Sequence, residues 1–166
     1  MPFHVAQANI AVPREPLEAP LLAEFVAQLE PVNAAADAAP GFVWRLQTED
    51  GDATGIKAFG DDRLIVNMSV WRSLEALRAF VYSSRTHLGV LRHRRDWFER
   101  LGEAHVVLWW VTAGHIPSLE EAEERLARLR ALGSSPHAFS FREHFPSPDA
   151  EATQSTRDER ELCPAG

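Results

Sequence analysis

The segment Arg85-Thr86-His87-Leu88-Gly89-Val90-Leu91-Arg92-His93-Arg94-Arg95-Asp96-Trp97-Phe98 carries the residues best suited to chemistry. On a helix, His87, Leu91, Arg94 and Phe98 fall on one stripe. A histidine and an arginine thus interrupt a face that is otherwise apolar and core-facing. Charged groups rarely enter such a face without a partner. His87 has the chemistry of a proton donor or acceptor, or of an axial metal ligand. Arg94 or Arg95 can hold a carboxylate or phenolate. A structural reading stands beside this one: His87 caps the start of the helix, and the arginines pair with Asp96, Glu99 or another helix.

Aromatic residues supply a possible wall for such a site. Trp44, Trp71, Trp97, Trp109 and Trp110 belong to a core, to an interface, or to an aromatic-lined pocket. In the pocket reading, Tyr82 and Asn67 orient a ligand, and Trp44, Met68, Leu91, Phe98 and Trp110 surround it. Asn67 stands in the middle of an apolar strand, so a hydrogen bond across a dimer interface is an equal alternative. His4, Gln7 and Asn9 could act in the same way from the first strand, with solvation at a sheet edge as the plainer role for His4. The sequence contains no HExxH motif, P-loop, dinucleotide-binding glycine fingerprint or GxSxG elbow. Its histidine spacing gives no reason to expect a metal site.

The elements that must position these residues follow from periodicity. Strands are predicted over 4–12, 42–48, 64–71 and 105–112. A helix over 21–29 meets Pro31 and resumes over 32–38, and Pro40-Gly41 stops it. Residues 49–55 read as an acidic loop. Ser73 caps the next helix, Ser83-Ser84 breaks it, and a second piece covers 86–101. Ser118 and Glu121 have the spacing of a capping box, ahead of a helix that ends at Gly133. Phe139, Phe141 and Phe145 mark a last extended piece, and a polar tail over 147–166 is predicted to be disordered.

The order β-α-β-β-α-β, with an added helix and extended segment, defines an α+β ferredoxin-like unit over residues 1–146. Right-handed crossovers put both helical connections on one sheet face. Strand alternation makes one face apolar (Ala6, Ala8, Ile10; Phe42, Trp44, Leu46; Leu64, Val66, Met68) and the other mixed (Gln7, Asn9; Arg45; Asn67, Ser69, Trp71). The apolar face is expected to meet the helices. The remaining face then has no cover in one chain, which predicts a homodimer; the alternative is a monomer partly covered by residues 138–145.

Composition narrows the function. The 166 residues suit one domain, and 24 acidic against 17 basic residues, for a net charge of −7, disfavour nucleic-acid binding. Lys57 is the only lysine. No apolar run is long enough to span a membrane, and no signal peptide is legible, so a cytoplasmic location is expected. A single cysteine, Cys163, rules out an internal disulfide.

Phe42-Val43-Trp44-Arg45-Leu46, Asn67-Met68-Ser69-Val70-Trp71, Trp97-Phe98, Val107-Leu108-Trp109-Trp110-Val111 and Ala113-Gly114-His115-Ile116-Pro117 together resemble a bacterial domain-of-unknown-function family. That family is associated with the dimeric α+β barrel, antibiotic-biosynthesis-monooxygenase-like, superfamily. The resemblance implies a site between helices and sheet, where His87 and Arg94 would face Trp44, Val66 or Met68. It implies three readings: a cofactor-free monooxygenase-like or isomerase-like enzyme acting on an aromatic or polyketide-like substrate, a haem enzyme, or a non-catalytic small-ligand binder. In the first, His87 is the acid or base, Arg94 stabilises negative charge, and Tyr82 and Asn67 orient the substrate. No cofactor is expected there, and haem is the alternative.

Overall fold

Four strands form one antiparallel sheet: β1 (Phe3–Ala11), β2 (Phe42–Arg45), β3 (Ile65–Trp71) and β4 (Val106–Thr112). Their order across the sheet is β2-β3-β1-β4, that of a ferredoxin-like unit. A short 3-10 turn at Pro20–Leu22 leads into α1 (Ala23–Ala38), which joins β1 to β2. Helices α2 (Leu74–Ser83) and α3 (Arg85–Trp97) join β3 to β4, and α4 (Leu119–Leu132) follows the sheet. The computed structural model describes residues 2–47 and 63–150, without the side chains of residues 85–87. The predicted acidic loop over 49–55, Lys57 and Cys163 lie outside the described residues.

Local chemistry explains most boundaries. The Ser73 hydroxyl accepts the Ala76 N–H at 3.1 Å and starts α2. The helix over 85–97 begins directly after Ser84, as the paired serines suggest. Pro31 does not break α1: it and Ala27, whose carbonyl it cannot satisfy, both lie on the exposed side. Helix α3 ends at Trp97, earlier than predicted, because the chain there pairs with the end of β1. Arg14 N–H donates to the Trp97 carbonyl at 2.8 Å, and Glu99 N–H to that of Val12 at 2.8 Å. Gly41 holds φ at +83° in the α1–β2 turn, and a Cβ there would stand 2.6 Å from that of Ala76.

The sense of the sheet is the reverse of that expected. Helix α4 brings Ala122, Leu126 and Leu129 onto the apolar face, against Ala6, Ala8, Ile10, Met68, Val107 and Trp109. Helices α1 to α3 cover the mixed face instead. There Leu74, Leu77 and Ala36 pack with Val5, Trp71 and Leu108, while Phe25, Trp97 and Phe98 pack with Ala11. The physical reason is the fit of helix stripe to sheet face. The stripe of α4 fits the apolar face; on the mixed face α2 packs an apolar stripe of its own (Leu74, Leu77), while the inner side of α1 carries Gln28 and Asn33, and that of α3 carries Arg94. Val66, Met68 and Val70 are 3%, 1% and 0% exposed in the single chain. Their burial therefore does not demand a second copy.

One strand residue changes face. A bulge between Phe42 and Trp44 turns Phe42 to the helix side, edge-on to Trp71 at 5.5 Å, while Trp44 stays with the apolar core. At the start of α4, the Ser118 hydroxyl accepts the Glu121 N–H at 3.1 Å. The Glu121 carboxylate does not close the capping box. It accepts from the Trp109 indole at 2.8 Å and pairs with His115 at 2.7 Å, tying β4 and the following turn to α4. The predicted final strand is a single pair, Leu108 with Phe139. Order continues past Pro146: Ser147 is buried and hydrogen-bonds Asp149.

Candidate functional site

Because the mixed face turns toward α1–α3, polar side chains lie beneath helices, from buried Gln7 and Ser69 through half-buried Asn9 to exposed Asn67. Gln7 stands opposite Ser69 and Asn9 opposite Asn67 in the β1–β3 register. The four form a polar tile two strands wide, since residues two apart share a face. The Gln7 amide donates to Asn67 Oδ1 at 2.7 Å and to Ser69 Oγ at 3.0 Å. The Trp71 indole, which can only donate, gives its N–H to the same Ser69 oxygen at 2.9 Å. Ser69 thus accepts two bonds, which leaves its own proton to give. Trp71 is 1% exposed and stacks on Phe80 at 5.1 Å. This network sets the tile's orientation from below.

Above the tile lies a cavity of about 360 Å³. Gln7, Asn9, Asn67 and Ser69 floor it from the sheet; Phe25, Gln28, Leu29, Val32 and Asn33 wall it from α1. Helix α2 contributes Leu77, Phe80, Val81 and Tyr82, helix α3 Val90, Leu91 and Arg94, and Phe98 lies just beyond α3. Five carboxamides thus share one apolar chamber, and among its described lining residues there is no carboxylate or imidazole. The Asn9, Gln28 and Asn33 side chains make no hydrogen bond among the described residues. Such a wall gives and accepts hydrogen bonds without contributing charge.

Two arginines reach this chamber, and they differ. Arg45 is held by Asp37 of α1 through Nε at 2.8 Å and a second nitrogen at 3.3 Å, a bidentate pair. Arg94 has no carboxylate within ion-pair distance among the described residues. Its guanidinium reaches the Ile10 carbonyl at 3.5 Å and lies 5.6 Å from the Phe98 ring centroid. Burial lowers the Arg94 pKa below its ordinary value, yet an arginine stays charged. Burial also lowers that of His105, and the charge of Arg94 lowers it further, against an opposing backbone hydrogen bond to Glu103. Arg94 is therefore a cation placed where an anion would be welcome.

The structure sorts the residues singled out from sequence. Arg94, Leu91, Phe98, Asn67 and Tyr82 line the cavity. Tyr82 stands at its mouth, 56% exposed and edge-on to Phe141, well away from the tile's hydrogen bonds. His87 lies on α3 one turn before Leu91, and its side chain is outside the described set. Met68 and Trp44 do not line the cavity, because the apolar face they occupy packs under α4. Trp110 does not line it either; its indole donates to the Phe145 carbonyl at 3.0 Å. Sequence reasoning missed Ser69, Arg45, Gln28, Asn33 and Phe141 as site residues. For Ser69 the signal was present: it repeats Asn67 at a spacing of two and faces Gln7 in the paired strand.

Haem would ask this wall for an axial ligand. Among the described lining residues, the Tyr82 phenol is the one group of a type that ligates haem iron.

Residues 4–156 match the family described as "Domain of unknown function (DUF3291)". The chain belongs to the DUF3291 family. Comparison with curated proteins gives no match. Among solved structures, the chain is similar to SnoaB, a cofactor-independent oxygenase from Streptomyces nogalater, at 18% identity and a TM-score of 0.44, covering 68% of this chain and 95% of that one. It is also similar to Rv0793 from Mycobacterium tuberculosis, at 17% identity and a TM-score of 0.44 over 69% and 99% of the two chains. A dabb family protein with a ferredoxin-like fold from Mesorhizobium loti follows at 9% identity and a TM-score of 0.40, over 70% and 98%. No described helix is long and apolar enough to cross a membrane.

Proposed function

We propose that this DUF3291 chain binds an aromatic or polyketide-like small molecule flat between its helices and its sheet, and acts on it as an enzyme. One observation carries the reading. A hydrogen-bonded polar tile is turned onto an apolar-walled cavity, opposite an arginine with no carboxylate within ion-pair distance among the described residues. Pockets with apolar walls and a few convergent polar groups are the usual form of small-molecule sites. Asn67 and Gln7 would orient the oxygen substituents of the ligand, and Arg94 would face an anionic oxygen such as a phenolate.

The reaction we propose is a cofactor-independent monooxygenation. A phenol bound as its anion gives electrons to molecular oxygen. A ring C–H becomes C=O, one oxygen atom enters the ring, and the second leaves as water with the two hydrogens the substrate loses. The four electrons all come from the substrate. Arg94 and the amides stabilise the oxyanion, and His87, on the same α3 stripe, is proposed to take the phenolic proton. The second reading, a non-catalytic carrier, is favoured by the lack of any carboxylate or imidazole in the described lining.

The test uses one- to three-ring phenols, including 1-naphthol, with isothermal titration and an oxygen electrode. Saturable binding should weaken about tenfold or more on Asn67→Ala or Arg94→Leu and hold for Met68→Leu on the far face. One oxygen consumed per quinone formed, lost on His87→Ala at an unchanged Tm, supports the enzyme. Binding without oxygen uptake supports the carrier, and absence of binding refutes both. Light scattering tests the homodimer separately, since both sheet faces are covered within one chain: twice the 18.6 kDa chain mass supports it and the single mass overturns it.

A further inference from the structure

Past α4, the chain turns at Gly133, where φ is +74°, and returns along the open edge of β4. Its attachment there is one residue pair wide. Leu108 N–H donates to the Phe139 carbonyl at 2.8 Å, and Phe139 N–H to that of Leu108 at 2.9 Å. Phe139 is 0% exposed and anchors this end. The Trp110 indole pins the other end through the Phe145 carbonyl at 3.0 Å. Between the anchors, the described backbone makes no hydrogen bond with the sheet. The span is held from α2 instead, by Arg78. Its guanidinium donates to the Phe141 carbonyl at 2.6 Å and to His144 Nδ1 at 3.0 Å. The Phe141 ring meets Tyr82 edge-on at 5.8 Å and lines the cavity.

We infer that this segment, residues 139–145, is a strap that closes the cavity, and that Phe141 determines the size of ligand admitted. The inference rests on the small-molecule reading above. Three features set the strap apart from a fixed wall. Its ends are fastened to β4, while in its middle the hydrogen bonds from the rest of the chain come from one side chain, Arg78, beside the Phe141–Tyr82 ring contact. Arg78 Nε is buried without an acceptor, so the closed state leaves one donor unsatisfied that an open strap would return to water. Finally, Tyr82, which Phe141 meets, and Leu91 of the cavity lining are 56% and 39% exposed, as expected of an opening and not of a core. Arg78 is thus a positioning residue: it acts on the ligand through Phe141.

The experiment measures 2-naphthoate and the larger pyrene-1-carboxylate against wild type, Phe141→Ala and Arg78→Gln, by titration and stopped-flow fluorescence. Phe141→Ala should improve pyrene-1-carboxylate relative to 2-naphthoate by about tenfold, as a vacated ring makes room. Arg78→Gln should speed both entry and release of 2-naphthoate by about fivefold or more, with little change in Kd, which a purely structural role would not produce. Unchanged selectivity in Phe141→Ala, or unchanged rates in Arg78→Gln, overturns the strap while leaving the cavity reading intact. Failure of wild type and variants to bind either probe overturns both. If Phe141→Ala does not fold, Phe141→Leu makes the same size comparison with a smaller expected shift.

Discussion

Replacing Arg94 by leucine separates a binding residue from a structural one, because the two roles predict opposite signs. In the free protein the guanidinium makes one long contact with the Ile10 carbonyl at 3.5 Å and a cation–π contact with Phe98 at 5.6 Å. Each contributes about 0.5–1 kcal/mol at most. Against this stands the desolvation of a charge without a carboxylate, of order 1–3 kcal/mol. Leucine also adds apolar burial of about 1 kcal/mol. Arg94→Leu should therefore be neutral or stabilising by about 0–3 kcal/mol, a Tm rise of about 0–12 °C for a chain of this size. Binding should move the other way. A lost charge-assisted hydrogen bond of about 1.5–3 kcal/mol weakens an anionic ligand roughly 10- to 150-fold. Calorimetric Tm measurement with titration of 2-naphthoate and its neutral amide reads both effects. The loss should fall on the acid alone. A Tm lowered by more than about 4 °C, with equal losses for acid and amide, would show that Arg94 only holds the helix in place.

Three further outcomes follow from the geometry. Gly41→Ala combines a strained φ of +83° with a Cβ 2.6 Å from that of Ala76; it should cost about 2–5 kcal/mol and lower Tm by roughly 5–15 °C in scanning calorimetry. At Glu121 burial raises the pKa, but the hydrogen bonds from His115 and Trp109 and the charges of His115 and Arg125 outweigh it and leave the carboxyl below its ordinary 4.5. With the folded value lowered, its stabilisation is complete above that ordinary value and is lost as pH falls through the folded one, so Glu121→Gln should flatten the acid limb of a Tm–pH curve. In the cofactor-free reading, hemin added to the purified protein gives the sum of the two separate spectra; a Soret band that shifts on His87→Ala would make haem the cofactor and His87 its ligand.

The succession of strands and helices and the strand alternation are legible in the sequence because each rests on a local period, apart from the break expected at Pro31, which α1 passes through. The sense in which the sheet faces its helices is not local. It depends on which helices bring polar residues inward, and that comparison was available. Helix α1 brings Gln28 and Asn33 and α3 brings Arg94, which matches them to Gln7, Asn67 and Ser69 and leaves Met68 and Trp109 to Ala122, Leu126 and Leu129 of α4. The apolar stripe of α2 (Leu74, Leu77) does not decide its own face by the same rule. Other features were beyond reach of any period. The bulge that moves Phe42 across the sheet depends on pairing geometry, and Phe141 enters the cavity from a segment over a hundred positions after β1 begins.

The same matching says why the cavity exists. A sheet face bearing four polar residues in two facing pairs cannot be packed dry at low cost, since each buried group needs a partner. The network around Ser69 satisfies part of that demand from within. The amides of Asn9, Gln28 and Asn33 and the guanidinium of Arg94 leave the rest open toward one chamber. A fold selected for stability alone would place aliphatic residues at these positions, as it does on the opposite face of the same strands. Apolar packing on one face and unsatisfied hydrogen-bonding capacity on the other therefore mark a division of labour within one sheet. The α4 side holds the domain together, and the α1–α3 side keeps the hydrogen-bonding capacity that the proposed ligand would use.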